Sequence, residues 1–159
     1  MTDRLRLEQL MTLRERRERL AAAALAAQQR RCRDEARRIE DLELALERER
    51  DDFDRLEQAW FDAVEGATLS PAELAQARQA IDDHQRRQAE LAEARSAAER
   101  ERCRLLEECA RRAETWSQRC HARQALGKLL ERRRRDDRIV QEGRLEADLE
   151  VTLPRGGPP

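Results

Sequence analysis

The sequence predicts an all-α chain in which two long helices fold back on each other as an antiparallel coiled-coil hairpin. Three observations predict it. The composition is rich in helix formers and poor in core residues. A single stop-and-restart signal lies near residue 66. Apolar residues recur at alternating three- and four-residue spacing on both sides of that signal.

Ala, Glu, Lys, Leu and Arg supply 101 of the 159 residues, the balance of a coiled coil or long helix. Leu, Ile, Val and Phe together supply only 29, too few for a compact core. The 33 basic and 34 acidic residues leave a net charge of −1. Self-repulsion therefore does not hold the chain open, and nucleic acid or an anionic membrane meets no attracting field. All but one of the basic residues are Arg, the exception being Lys128, a bias that the codon usage of a GC-rich bacterial genome explains as well as chemistry does.

The first helix is expected over about residues 3–64, a stretch free of Gly and Pro and dominated by helix formers. Its predicted seam runs Ile39, Leu42, Leu46, Glu49, Phe53, Leu56, Trp60 and Ala63. The turn is expected over residues 65–70. Gly66 suits the left-handed conformation that ends a helix. Ser70 then serves as N-cap, Pro71 as first helical residue, and Glu73 completes a capping box.

The second helix is expected over about residues 71–148, with Gly143 a weak point, so that residues 1–150 form one hairpin. Its seam runs Leu74, Ala77, Ile81, His84, Gln88 and Leu91. At ~1.5 Å per residue the helices measure about 90 and 115 Å, a rod. Residues 151–159, rich in Gly and Pro, read as a disordered tail.

So short a connection forces the helices antiparallel. Folding at the turn sets Trp60 opposite Leu74, Phe53 opposite Ile81 and Leu46 opposite Gln88. Glu49 meets His84, two polar seam residues that form a buried, register-fixing pair. Cys32 falls beside Cys103, read as small seam residues, with a regulatory disulfide as the alternative. Further from the turn the stripe degrades. Leu10, Leu13, Leu20 and Ala24 lie off the line of Met11 and Leu25, Arg95 and Arg102 fall on the seam, and the open end is expected to be looser.

No catalytic constellation, phosphate-binding glycine loop or zinc-ligand spacing is present, so neither catalysis nor a metal or cofactor is expected. His84 reads as a seam hydrogen-bonding residue ahead of a metal ligand or acid–base group. Trp60 and Phe61 are adjacent, so one faces the seam and the other is partly exposed. The exposed ring is either a protein-contact anchor or a staple onto the Thr68–Leu69 loop. Trp116 reads as core. Arg132, Arg133, Arg134 and Arg135 form a basic run flanked by acids. They read as solvated helix surface, with a protein contact next and nucleic acid last, since no aromatics interleave. Met1–Arg6 lacks the apolar run of a signal peptide, and no stretch of about 18 apolar residues exists. A cytoplasmic chain with reduced thiols is expected.

The segment Phe53, then Trp60-Phe61-Asp62-Ala63-Val64-Glu65-Gly66, ahead of a turn in an Arg-rich hairpin, resembles the central stalk proteins of type III secretion systems. These are the FliJ/YscO-like family, with HrpB-type relatives of plant pathogens among the possibilities. The resemblance implies a non-enzymatic virulence-associated stalk, peripheral to the inner-membrane export apparatus. It implies as partners a hexameric secretion ATPase, whose activity it promotes, an export-gate membrane protein and secretion chaperones, with no nucleic acid and no membrane insertion. The candidate partner-contact residues are those read above from the sequence, Trp60, Phe61 and Arg132 to Arg135. The alternative is a structural coiled-coil adaptor or spacer without an ATPase partner.

Overall fold

The computed structural model describes residues 2–152. Two helices, α1 (Asp3–Val64) and α2 (Pro71–Thr152), pack antiparallel against each other, and the described residues contain no strand. The turn forms as its local chemistry dictates. Gly66 takes φ 93°, a region that side-chain-bearing residues resist. The Ala67 amide donates to the Val64 carbonyl at 3.0 Å. The capping box closes in both directions: the Glu73 amide donates to Ser70 Oγ at 3.2 Å, and the Ser70 amide to the Glu73 carboxylate at 3.3 Å.

α2 runs further than expected. Val151 and Thr152 are helical, not tail, and the Thr152 hydroxyl donates back to the carbonyls of Asp148 and Leu149 at 3.0 Å. No proline lies between Pro71 and Thr152 to break it. Gly143 is helical like its neighbours. The rest of the expected tail, residues 153–159, lies outside the described residues.

The chain divides into two packed units. One, the tip unit, holds residues 26–111 and the turn; the other, the terminal unit, holds residues 2–25 and 112–152. In the tip unit α1 turns Gln28, Cys32, Glu35, Ile39, Leu42, Leu46, Glu49 and Phe53 inward. Ile39, Ala98 and Leu105 are buried there, and so is Gln28, at 2% exposure. The Gln28 Nε2 donates to the Leu105 carbonyl at 3.0 Å, which removes the cost of burying an unpaired amide. In the terminal unit α1 turns Leu7, Met11, Arg14, Glu18, Ala21 and Leu25 inward, and α2 buries Leu126 and Leu130.

This corrects two expectations. The stripe does not degrade away from the turn: the alternating spacing runs from Leu7 to Phe53 without a slip, with Arg14, Glu18, Gln28 and Glu35 holding positions that apolar residues usually take. Nor is packing tightest at the turn. Leu56, Leu69, Leu74 and Ile81 are exposed there, whereas the fully buried residues all lie further along both helices. Long polar side chains cover the seam with their aliphatic stems; the heads of Arg14, Glu18 and Gln28 find partners across it, whereas Glu35 Oε1 is buried without a hydrogen-bond partner.

Candidate functional site

At the turn end of the tip unit, α1 and α2 bring aromatic and ionic groups together. The Phe53 ring stacks on His84, with centroids 4.0 Å apart and planes 8° from parallel. Trp60 meets Phe53 edge-on, at 6.2 Å and 86°, the geometry that ring quadrupoles favour. His84 Nδ1 lies 3.1 Å from Glu49 Oε1, and Arg87 approaches the other carboxylate oxygen at 3.8 Å. The pair that the sequence placed across the seam is thus formed, with the imidazole held between a carboxylate edge and an aromatic face.

Beyond this cluster lies an open groove of about 580 Å³, lined by Phe53, Trp60, Phe61, Val64, Leu69 and Ile81 among others. Trp60 is partly buried and Phe61 is 65% exposed, so of the two adjacent rings Phe61 is the outward one. Both face the groove, which is also bordered by Thr68 and Leu69 of the turn.

Arg132 to Arg135 are exposed on α2 in the terminal unit. Arg133 lies 3.8 Å from Asp3 at the start of α1, and Arg135 lies 3.7 Å from Glu131. Trp116, expected in the core, is 38% exposed, because Ser117 and Cys120 take the neighbouring partly buried positions.

A polar cluster that the sequence reading missed crosses the terminal unit. Arg14 Nη1 donates to the Ala122 carbonyl at 2.8 Å. Arg123 hydrogen-bonds the Glu18 carboxylate, and Cys120 Sγ donates to its other oxygen at 3.3 Å. The Arg123 guanidinium holds the Glu18 carboxyl below its usual range; burial opposes this, and the Cys120 bond adds to it. Burial, with help from the Glu18 carboxylate, pushes the Cys120 thiol up. The signal that could have found the cluster was charge at seam spacing on both helices.

A group whose folded pKa is depressed contributes stability above its unfolded value and loses it as pH falls through the folded one. Acidification below the usual carboxylate value of about 4.5 is therefore expected to lower the melting temperature of the native chain. Glu18→Gln should start lower at neutral pH and lose less on acidification. Thermal melts followed by circular dichroism check this.

All four cysteines are free, and the Cys32–Cys103 pairing is corrected. Cys103 is exposed, while burial, and after it the neighbouring Cys109 thiol, pushes the Cys32 thiol up. The reason is geometric. Each side chain leans toward the N-terminus of its own helix, so Cys32 and Cys109 both lean back toward the level where Gln28 meets Leu105.

Among the described residues no group of three or more His, Cys, Asp or Glu side chains is placed to hold a metal ion. Comparison with known proteins finds no matching family model, no matching curated protein and no matching solved structure.

Proposed function

We propose that this chain is the central stalk of a bacterial type III secretion export apparatus, linking a hexameric secretion ATPase to the export gate and promoting ATPase activity. The observation that carries the reading is an antiparallel two-helix hairpin whose α2 bears a solvent-facing arginine run, Arg132 to Arg135, next to the start of α1. The residue pattern from Phe53 to Gly66 agrees with it. In this reading the arginine-bearing segment enters the ATPase ring. A surface of charges with few apolar anchors touches several similar pore surfaces in turn without locking onto one, because exposed ion pairs are individually weak. The groove beside Trp60 and Phe61 is the remaining contact, offered to the export gate, where an exposed aromatic acts as anchor. Among the described residues no helix is long and apolar enough to cross a membrane, which suits a peripheral role.

The test is reconstitution with the hexameric secretion ATPase of the same genome. The chain is expected to co-purify with the ATPase and to raise its turnover. Reversing Arg132 to Arg135 to Glu should abolish that stimulation while the helical circular dichroism is unchanged. Full stimulation by the reversed variant rejects the placement in the ring. Failure of the native chain to bind the ATPase rejects the stalk reading and favours the adaptor coiled coil.

A further inference from the structure

Arg133 reaches Asp3, the first residue of α1, so among the described residues α2 has no facing helix past about residue 138. Yet it continues to Thr152, and this unpaired stretch exposes Ile139, Val140, Leu145, Leu149 and Val151. Ile139, Gly143, Ala147 and Val151 stand four residues apart on one ridge of the helix. Gly143 weakens the helix by about 1 kcal/mol relative to Ala. Among the described residues nothing beyond its own stretch of helix backbone lies within 4 Å of where its Cβ would stand, so no described neighbour requires it. Gly127 differs: its Cβ would lie 3.3 Å from Met11 on the facing helix. An interior glycine on a ridge is what close approach by a second helix needs, as Gly127 illustrates.

Charge says which helix that is. Residues 132–138 hold five Arg and two Asp, net +3; residues 139–152 hold four acidic residues and one Arg, net −3. Among the described residues Arg132, Arg134 and Arg138 carry no ion pair. A segment that is basic in its first part and acidic in its second complements itself when two copies run antiparallel, and repels itself when they run parallel.

We infer that residues 132–152 are a self-docking helix, pairing antiparallel with the same segment of a second copy of this chain. The contact centres near Gly143, with the Ile139 end of one copy against the Ala147–Val151 end of the other. The pair of short helices buries less than a standard interface of about 1,600 Å², so the association is weak, on the order of 10 µM or weaker. It uses the arginines assigned above to the ATPase ring and therefore competes with that contact. It does not rest on the stalk reading, and its test contains no ATPase.

The full chain is examined by sedimentation equilibrium over a concentration series at low salt. The native chain is expected to associate, and added salt to weaken it. Arg132, Arg134 and Arg138→Glu makes both parts of the segment negative; Glu146, Asp148 and Glu150→Arg makes both positive. Each variant alone should associate at least about tenfold more weakly, and an equimolar mixture should restore association. A photo-cross-linking residue at Gln141 in the otherwise native chain, mixed with isotope-labelled chain, should link to the second copy near Leu145–Leu149. A native chain that stays monomeric at every concentration overturns the inference, whether its own residues 153–159 or another protein then covers the segment. So do charge variants that associate like the native chain, or Gln141 cross-links confined to one molecule.

Discussion

Ile39→Asp is expected to destabilise the tip unit by about 4 kcal/mol, since it removes a buried apolar side chain and leaves an unpaired carboxylate in its place. Ile39 is 7% exposed and stands on the seam between Leu42 and Glu35. On the facing helix Arg95 lies 2.9 Å from Glu43 and 3.3 Å from Glu99, so a new carboxylate would have to compete with two existing ones for it. Ile39→Val, which keeps the apolar character, should cost about 1 kcal/mol. Urea titration followed by helical circular dichroism measures both. Equal midpoints for the two variants would remove Ile39 from the buried seam.

Phe53→Ala should cost about 3 kcal/mol. The ring is stacked on His84 and receives the edge of Trp60. Its loss removes apolar area, an aromatic pair and the face that holds the imidazole toward Glu49. Phe53→Leu keeps most of the area and loses the ring contacts, so about 1 kcal/mol is expected. The two variants also differ in Trp60 fluorescence, because only the alanine opens the space beside the indole to water. An unchanged melting temperature in Phe53→Ala would mean that the cluster does not hold the tip together.

The turn and the Glu49–His84 pair were legible in the sequence for a physical reason. A helix stop needs a residue that tolerates positive φ, a restart needs a hydroxyl and a carboxylate three residues apart, and Gly66, Ser70 and Glu73 answer those needs locally. Glu49 and His84 coincide across the fold because each interrupts an apolar stripe at the same distance from the turn. The rest of the seam was not legible from apolar spacing alone. Arg14 and Glu18 find partners on α2 only after folding, and Gln28 is buried because a backbone carbonyl waits at Leu105. Cys32 was mispaired because counting from the turn gives facing backbones, whereas side chains of an antiparallel pair lean away from that level. The groove at Trp60 and Phe61 was half legible: adjacent aromatics must diverge, but which one faces outward depends on the path of the turn.

The measurement that tests the hairpin most directly is the distance between spin labels at Glu43→Cys and Arg95→Cys, with the native cysteines replaced by Ala and the labelled chain diluted into unlabelled chain. These residues form an ion pair across the two helices of the tip unit at 2.9 Å. Packed helices lie 8–10 Å apart, so with the label arms the account predicts a narrow distribution near roughly 20 Å. A distribution near about 80 Å, the separation of the same residues along one uninterrupted helix, would contradict it.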